Sequence, residues 1–423
     1  MKRRFTSFAI ADFYQFKSQL LNFGKRFSNF CFLDNHNYDF DKSLECIAGL
    51  GISASISSED GKKLKDLDQF KKENYDWIFG HLNYDLKNEI EDLNSENEDH
   101  IHFEDFFFFI PEILIILSAD NVTIAVDEKE NPKEILEQIY STAGSETVFR
   151  KPILKSRISK AAYLETLIKL QQHILRGDCY EICFCQEFFS EETQIDPVKV
   201  FEKLSATSPN PFSAFYRSGE KYLMCASPER FLKKVGDTIF SQPIKGTAKR
   251  SKTADEIEKD QLKTNEKERA ENVMIVDLVR NDLSKICAEG TVCVKELFEI
   301  YSFPQVHQMI STIEGKLFKN IPFSEILNAT FPMGSMTGAP KKRALELIEK
   351  YEQAKRGLFS GSVGYISPKG DFDFNVVIRS ILYNAKSRYL SVPVGSAITW
   401  KSNPEKEFEE CENKIEGIIK ALE

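Results

Sequence analysis

The sequence predicts a mixed α/β fold, because β-rich runs alternate with helical patterns from about residue 160 onwards. Examples of the β-rich runs are KYLMCAS, VCVKELFEI and FDFNVVIRSILYN, and the segments between them place apolar residues at helical spacing. With 423 residues the chain is long enough for a large core. These observations predict a large α/β protein, and the size permits an enzyme.

The composition argues against nucleic-acid and membrane partners. The 56 basic and 65 acidic residues give a formal net charge of −9, so the general attraction to a phosphate backbone is missing. The most apolar run, FFFFIPEILIIL at 106–117, is shorter than the ~20 residues of a membrane helix and is expected to be a buried strand or helix edge. Nine cysteines follow no repeating pattern, and polar residues interrupt the basic N-terminus before a signal-peptide core can form. We therefore expect a cytoplasmic protein.

The chain is expected to divide near residue 150. Residues 1–150 are rich in aromatic residues, Asn and Asp, and they carry no recognisable chemical motif. A polar segment over 145–167 then opens into a helical pattern, with Ser159 as a candidate N-cap. We predict an N-terminal accessory region over 1–150 and a catalytic domain over 151–423.

A long helix is predicted to start at Thr253, because Glu256 three residues later completes a capping box. Glu268 and Glu271 fall on the same face as the apolar residues that bury this helix, such as Ile275. A buried carboxylate is costly without a partner. These two acids are therefore candidates for a functional role.

A second acidic pair stands on the predicted C-terminal helix, which Asn403 can cap with Pro404 in its first turn. Glu407 and Glu410 lie beside the apolar stripe of this helix. If the two pairs converged, a divalent cation would relieve their repulsion, and magnesium suits oxygen ligands whereas zinc lacks a matching His and Cys set. Two distant helices need not converge, so a shared magnesium site and two unrelated pairs both stay open.

Four other stretches carry candidate binding groups. Lys245 in SQPIKGTAKR is either a solvated strand-end lysine or an amine held in a pocket. Arg379 follows the apolar stretch FNVVI, where its guanidinium needs a carboxylate from either a ligand or the protein. The turn FPMGSMTGAPKK offers backbone N–H groups to an anion, although its spacing fails the phosphate-loop motif. Gly395 allows close approach of a ligand or simply serves a turn.

Taken together, these segments resemble the chorismate-utilising enzymes, which include the synthases of anthranilate, aminodeoxychorismate and isochorismate. The resemblance spans roughly residues 151–423, and the motifs occur in the family's order: GDCYEICFCQEF, ASPERFL, QPIKGTAKR, NEKERAENVMIVDLVRNDL, VHQMIST, FPMGSMTGAPKKRA, RGLFSGSVGYI, FNVVIRS and GSAIT followed by NPEKEFEECENK. The resemblance implies an anthranilate-synthase-like sandwich of two sheets surrounded by helices, with a chorismate pocket between the sheets.

The resemblance also implies roles for individual residues. Glu271 and Glu410 match direct magnesium ligands, and Glu268 and Glu407 match the second acid of each pair. The remaining matches concern substrate and catalysis: Arg379 for a substrate carboxylate, Thr337 and the backbone of Gly395, Ser396 and Ala397 lining the site, His307 near the reacting ring, and Glu229 as a general acid.

Lys245 indicates the branch of the family. Anthranilate-forming members typically carry Ala at this position of the PI-x-GT motif, whereas lysine marks the members that aminate chorismate at C4. In that branch the lysine amine attacks C2 as the C4 hydroxyl leaves, and ammonia then attacks C4 and displaces the lysine. This role requires a neutral amine, which a nearby cation and partial desolvation would favour. Water-adding members place a basic lysine near the position of Glu181, where this chain has none.

The implied reaction is the conversion of chorismate and ammonia to 4-amino-4-deoxychorismate for 4-aminobenzoate and folate synthesis. No glutamine-cleaving Cys–His site is recognisable, so a separate glutamine amidotransferase subunit is implied as the ammonia source. Anthranilate synthesis and a non-catalytic chorismate-binding subunit are the alternatives. Three departures from the family pattern leave the acids and the lysine in place: Phe359 for a tyrosine, Ser396 for a glycine and Cys183 for an asparagine.

Overall fold

Two antiparallel β-sheets form the centre of the structure, a computed structural model that describes residues 2–38, 44–144, 151–251, 253–303 and 306–423. The strands are β1 (Arg3–Ala9), β2 (Asn29–Asp34), β3 (Cys46–Leu50), β4 (Ala54–Ser57), β5 (Ile78–Leu82), β6 (Phe106–Ile110), β7 (Ile113–Leu117), β8 (Asn121–Asp127), β9 (Lys155–Ser156), β10 (Glu181–Ser190), β11 (Phe212–Ser218), β12 (Lys221–Ser227), β13 (Arg230–Val235), β14 (Thr238–Gln242), β15 (Ile244–Lys249), β16 (Cys293–Ser302), β17 (Val306–Lys316), β18 (Gly338–Ala339), β19 (Ser362–Ile366), β20 (Phe372–Asn375), β21 (Ser380–Asn384) and β22 (Tyr389–Thr399).

Helices surround the sheets. They are α1 (Phe13–Gly24), α2 (Asp66–Glu73), α3 (Lys87–Glu91), α4 (Pro132–Tyr140), α5 (Lys160–Leu175), α6 (Pro197–Thr207), α7 (Asp255–Thr264), α8 (Glu266–Ser284), α9 (Phe323–Thr330), α10 (Lys341–Tyr351) and α11 (Pro404–Ala421). None of these described helices is both long and apolar enough to cross a lipid bilayer.

The larger sheet has 12 strands in the order β1-β8-β7-β3-β2-β11-β12-β21-β22-β10-β18, with β9 paired to β10. The smaller sheet has 10 strands in the order β15-β17-β14-β13-β20-β19-β5-β6-β4, with β16 paired to β17. Strands from the first third of the chain enter both sheets, since β2 pairs with β11 and β5 pairs with β19. The predicted division lies at residue 150, within the segment 145–150 that is outside the described residues. The division therefore stays a prediction.

Two apolar clusters hold these layers together. One contains residues of both sheets, such as Tyr216 of the larger and Phe108 of the smaller, and so fills the space between them. The other joins the opposite face of the larger sheet to helices, for example Leu167 of α5 and Ile415 of α11. Each buried aromatic or aliphatic side chain contributes roughly 1.5–3 kcal/mol by leaving water. The mixed α/β class is confirmed, as a two-sheet sandwich surrounded by helices.

Several local predictions are confirmed. The Ser159 side chain accepts the N–H of Ala162 at the start of α5, and Asn403 caps α11 with Pro404 in the first turn. The apolar run at 106–117 forms two buried strands, β6 and β7. These signals are local, which is why sequence alone is sufficient to identify them.

The predicted capping box at Thr253 is wrong, because the single long helix is in fact two. Ala254 precedes α7 without a side-chain cap, and the Thr253 hydroxyl pairs with Ser251 instead. Asn265 has an extended backbone, and its side chain accepts the N–H groups of Lys267 and Glu268 at the start of α8. Asparagine is among the best N-cap residues, so the break falls there and Glu268 lies in the first turn of a new helix.

The run FDFNVVIRSILYN is not one strand either. β20 belongs to the smaller sheet and β21 to the larger, so the chain crosses between the sheets over residues 376–379. Arg379 ends this crossing with φ 52°, a left-handed conformation that is uncommon for a residue with a side chain. The arginine therefore lies at a bend between the two sheets.

Candidate active site

A cavity of about 420 Å³ lies between the β15 edge of the smaller sheet and strand β22 of the larger, with α8 and α11 as further walls. Its walls include all but two of the residues predicted from the sequence: Glu229, Lys245, Glu268, Glu271, Arg379, Gly395, Ser396, Ala397, Glu407 and Glu410. The fold therefore brings together residues that are widely separated in the chain, from Glu229 to Glu410.

Helices α8 and α11 bring the two acidic pairs to one face of the cavity. Glu271 and Glu407 are buried, with exposures of 6% and 3%. Lys267 connects the helices, because its Nζ lies 3.7 Å from Glu271 Oε1 and 3.3 Å from Glu407 Oε1. Of the two possibilities left open by the sequence, convergence is the one observed.

Burial raises the pKa values of the two acids on α8, whereas lysines lower that of Glu410 on α11. It raises the pKa of Glu271 to about 7, although Lys245 and Lys267 act in the opposite direction. It also raises the pKa of Glu268. Burial has the same tendency at Glu410, but Lys414 at 2.7 Å and other lysines outweigh it, so the pKa of Glu410 is lowered. A bound cation would therefore stabilise the charged form of the acids mainly on the α8 side of the cavity.

The donor set can be tested against the predicted magnesium. Among the described residues no three His, Cys, Asp or Glu side chains form a ready-made metal cage. The groups present are carboxylates, and the buried Glu271 Oε1 accepts no hydrogen bond from the described part of the chain. Magnesium binds through one or two carboxylates and retains several waters. The residues therefore fit a magnesium ion by their chemistry, while the ion itself stays a proposal.

Lys245 lies inside the cavity on β15, not at a solvated strand end. Its side chain is 10% exposed, and Nζ donates a hydrogen bond to Glu181 Oε1 at 2.8 Å. Burial lowers the pKa of Lys245, but attraction to Glu181 and Glu271 outweighs this effect and raises the pKa above its usual range. The amine is thus held as an ammonium ion, which differs from the neutral amine that the predicted role requires.

Glu229 lies in the connection between β12 and β13, at the buried end of the cavity. Burial raises its pKa to about 7, with Lys245 acting in the opposite direction. A carboxylic acid whose pKa is close to neutral can hold a proton at working pH and deliver it. This environment suits the general acid predicted from the sequence.

The Arg379 guanidinium makes no hydrogen bond or ion pair with another residue in the described ranges. Burial lowers its pKa, and Glu410 acts weakly in the opposite direction. Of the two predicted partners of Arg379, a ligand carboxylate or a protein carboxylate, the second is therefore not observed among the described residues. A partly buried, unpaired guanidinium facing a cavity is suited to binding an anionic ligand.

The segment Gly395–Ala397 lies within β22 and not at a turn. Gly395 O accepts a hydrogen bond of 2.7 Å from Lys414 Nζ, which ties α11 to the strand. A Cβ at Gly395 would collide with Cys185 Sγ on the neighbouring strand β10. Close packing of β10 against β22 therefore requires this glycine, whatever the backbone does for a ligand.

Two predicted site residues do not line the cavity. His307 and Gln308 are neighbours on β17, so their side chains point to opposite faces. His307 is turned away, with Nδ1 2.8 Å from Ser302 Oγ and Nε2 3.1 Å from Asp255 Oδ1. Gln308 faces the cavity instead, and its buried Oε1 accepts no hydrogen bond from the described residues. His307 therefore does not line the cavity, and its place near a reacting ring stays a prediction.

Thr337 is fully buried just behind the cavity wall. Its hydroxyl donates to the carbonyl groups of Met333 and Gly334, and its own carbonyl accepts the N–H of Cys183. It therefore supports the neighbouring wall residue Met336 and does not face a ligand.

Several wall or partner residues besides Gln308 were not predicted as site residues. Lys267 and Lys414 stand four positions from Glu271 and Glu410, a helical spacing that a search for charge pairs would have detected. Glu181 and Cys183 are two positions apart on β10, so their side chains lie on the same face of the strand. Glu181 pairs with Lys245 and Cys183 lines the cavity.

A buried arginine fixes the floor of the cavity. Arg356 donates to Cys183 O at 2.8 Å and to Met336 O at 2.6 Å, and it pairs with Glu352 at 2.7 Å. Glu352 in turn accepts the N–H of Cys185. Phe359, 2% exposed, gives the cavity an apolar wall.

Comparison with known proteins identifies the family. Residues 29–420 match the sequence profile of the family described as chorismate binding enzyme. The chain therefore belongs to the chorismate binding enzyme family. The match begins well before residue 151, so it also takes in most of the N-terminal third.

Curated relatives carry more specific names. The probable aminodeoxychorismate synthase, chloroplastic, of Oryza sativa subsp. japonica is 39% identical over 271 residues, which are 63% of this chain and 30% of the relative. Aminodeoxychorismate synthase component 1 of Escherichia coli K12 is 33% identical over 348 residues, which are 81% of this chain and 76% of the relative. The chain thus spans less than a third of the rice protein and about three quarters of the bacterial one.

A solved structure confirms the fold. The crystal structure of anthranilate synthase component I from Streptococcus pneumoniae TIGR4 matches with a TM-score of 0.75 at 22% identity, covering 98% of this chain and 92% of that chain. The anthranilate-synthase-like two-sheet sandwich predicted from the sequence is therefore the observed one.

Proposed function

We propose that this chain converts chorismate and ammonia to 4-amino-4-deoxychorismate, the precursor of 4-aminobenzoate in folate synthesis. The observation that carries the proposal is the position of Lys245, whose amine lies in the cavity of a chorismate binding enzyme. The names of the rice and E. coli relatives support it. The similarity to an anthranilate synthase concerns the fold alone, so the chemistry at residue 245 separates the two activities.

The walls of the cavity complement chorismate, a ring that carries two carboxylates. Arg379 offers unpaired donors for a carboxylate, Gln308 Oε1 offers an acceptor for the ring hydroxyl, and Phe359 offers an apolar surface. Glu271 and Glu410 would hold magnesium directly, with Glu268 and Glu407 as the second acid of each pair. Magnesium bound there supplies charge that offsets the acids and binds a substrate carboxylate.

The reaction takes two displacements, in which Lys245 is first the nucleophile and then the leaving group. Its amine, after giving a proton to the adjacent Glu181, forms a bond to C2 as the ring double bond shifts and the C4–oxygen bond breaks. Glu229 protonates the departing hydroxyl, which leaves as water. Ammonia then bonds to C4, the double bond returns, and the bond between C2 and Lys245 breaks. The sum is chorismate plus ammonia giving 4-amino-4-deoxychorismate plus water.

The proposal includes a partner and a location. A glutamine amidotransferase is the proposed ammonia source, which the name component 1 of the E. coli relative supports, and the 423 residues themselves carry no recognisable glutamine-cleaving Cys–His motif. A cytoplasmic location is supported by the nine free cysteines, eight of which are buried.

The test is a product assay with purified chain, chorismate and magnesium. Ammonium salts at raised pH are expected to yield 4-amino-4-deoxychorismate, identified by mass and by its conversion to 4-aminobenzoate with a lyase. Glutamine is expected to support turnover only after an amidotransferase subunit is added. Anthranilate as the product would replace the proposed activity by its nearest alternative, and glutamine-driven turnover by the chain alone would contradict the separate partner.

Lys267→Gln is expected to tighten magnesium binding by up to about fivefold. The Lys267 ammonium, 44% exposed, lies between Glu271 and Glu407 and competes with a metal for their oxygens. The limit follows because a half-exposed ion pair contributes about 1 kcal/mol at most. Calorimetric titration with magnesium, without chorismate, measures the change, and Lys263→Gln on α7 is the matched control. Weaker binding in Lys267→Gln would show that this lysine assists the metal.

A further inference from the structure

Cys183 is a thiol in the wall of the active-site cavity that the proposed reaction does not use. All nine cysteines of the chain lie in the described ranges, and Cys183 is the one that lines this cavity. It is 4% exposed, but the rim of the cavity contains exposed residues such as Thr247 and Lys249. Small molecules from solvent can therefore reach the thiol through the cavity.

A second thiol lies directly beside Cys183. Cys185 is on the same face of β10, and the two Sγ atoms are 3.9 Å apart, a distance that allows a hydrogen bond between sulfur atoms. Cys185 does not line the active-site cavity, and its Sγ packs closely against Gly395 of β22. Cys185 can thus donate its S–H to a thiolate at Cys183, while Cys183 is the member of the pair that meets incoming molecules.

Two cationic side chains also act on Cys183. Arg356 donates a 2.8 Å hydrogen bond to the carbonyl oxygen of Cys183, and Lys245 lines the same cavity. The hydrogen bond from Cys185, together with the charges of Arg356 and Lys245, lowers the pKa of Cys183 to about 7, against the effect of burial. Burial raises the pKa of Cys185 well above its usual range, so this sulfur stays a thiol. A thiolate held beside cations and a donor is typical of a reactive cysteine.

We propose that Cys183 is a peroxide-sensitive thiol, and that its oxidation to a sulfenic acid reversibly stops turnover in this cavity. The Cys183 thiolate attacks one oxygen of hydrogen peroxide, the S–O bond forms as the O–O bond breaks, and the departing hydroxide takes up a proton to become water. The sulfur is oxidised by two electrons and the peroxide is reduced by two. A small thiol restores the cysteine by reducing the sulfenic acid to thiol and water, and is itself oxidised to its disulfide.

The position of Cys183 explains why oxidation would stop turnover. Glu181 lies on the same face of β10 and accepts the 2.8 Å hydrogen bond from Lys245 Nζ. An oxygen added to Cys183 would occupy space in the cavity and offer Lys245 another acceptor, in competition with chorismate. The loss of amination thus rests on the proposed function, whereas the oxidation of the sulfur does not. Asparagine, which the family pattern has at position 183, cannot undergo this reaction.

The test compares the wild type with Cys183→Asn, Cys185→Ala and Cys293→Ser. Each protein is treated briefly with hydrogen peroxide, catalase removes the excess, and turnover with ammonium is divided by that of the same untreated protein. The wild type is expected to lose turnover at least about tenfold and to regain it with dithiothreitol, whereas Cys183→Asn keeps its untreated rate. Cys185→Ala lacks the S–H donor and is expected to be inactivated roughly three- to tenfold more slowly. Cys293→Ser removes the exposed cysteine and should respond like the wild type.

A chemical readout locates the oxidised sulfur independently of activity. Dimedone, which reacts with sulfenic acids, is expected to label the Cys183 peptide of the treated wild type, as detected by mass spectrometry. Chorismate and magnesium present during the treatment should reduce this labelling, because the ligand fills the cavity.

The outcomes separate the peroxide-sensitive thiol from the proposed function. Equal inactivation of Cys183→Asn and the wild type, or no label on Cys183, would overturn the thiol proposal while amination of chorismate still stands. Full turnover by protein labelled at Cys183 would overturn the claim that oxidation stops the reaction. Reversible labelling of Cys183 in a wild-type chain that forms no 4-amino-4-deoxychorismate would support the oxidation site and overturn the proposed activity.

Discussion

Lys245→Ala is expected to slow ammonia-dependent formation of 4-amino-4-deoxychorismate by roughly 10²–10⁴-fold, the usual contribution of one catalytic group. The loss should appear in kcat and not in the affinity for chorismate, because the magnesium acids and Arg379 are unchanged. Direct attack by ammonia at C4 would reduce the size of the effect. The rate with saturating ammonium, measured by product formation, gives the number.

A covalent adduct gives the more decisive result for Lys245. With wild-type protein, chorismate and magnesium but no ammonia, a quenched digest should contain a Lys245 peptide heavier by the mass of dehydrated chorismate. Lys245→Arg is the matched control, because it retains a positive charge beside Glu181 but lacks a nucleophilic amine. Full turnover in Lys245→Ala together with no trapped adduct would remove the main support for the proposed activity.

Removal of magnesium is expected to abolish turnover, and Glu271→Gln to lower magnesium affinity by at least tenfold. Glu271 is buried, and its Oε1 accepts no hydrogen bond from the described residues. Gln has nearly the same volume, but it removes the negative charge and replaces one carboxylate oxygen by an NH2 group that cannot bind a hard cation. Calorimetry with magnesium and turnover after exhaustive chelation test the two parts.

Glu266→Gln is the control for the magnesium prediction, since this exposed acid of α8 does not line the cavity. Its magnesium affinity should equal that of the wild type. Turnover that survives chelation would contradict the magnesium proposal. Unfolding of Glu271→Gln would instead give this acid a structural role, as the partner of Lys267.

The sequence predicted those parts of the site that depend on local spacing or on an ordered set of motifs. Helical periodicity placed Glu268 and Glu271 on a buried face, and both acids line the cavity. It did not reveal that α8 and α11 face each other, because that contact depends on packing between segments about 140 residues apart. The resemblance to the family supplied the convergence that spacing left open.

The errors have local physical causes. The Thr253 hydroxyl pairs with Ser251 and caps no helix, and Asn265 starts a second helix that divides the predicted one. His307 was assigned by its match to a family motif, and in the structure its neighbour Gln308 is the residue of β17 that lines the cavity. The apolar run before Arg379 indicated one strand, because hydrophobicity alone does not show where a chain leaves one sheet for another.

The ion pair between Lys245 and Glu181 has a consequence for which substitutions the site can tolerate. The two side chains are 10% and 2% exposed, and loss of one partner from a buried pair costs on the order of 3–5 kcal/mol, against a total stability of about 5–15 kcal/mol. Exchange of Lys245 for alanine alone would leave the Glu181 carboxylate buried without its cation, whereas prior loss of charge at Glu181 would make the same exchange tolerable. The two positions are therefore expected to be epistatic, because either single exchange leaves one buried charge without its partner whereas the double exchange does not.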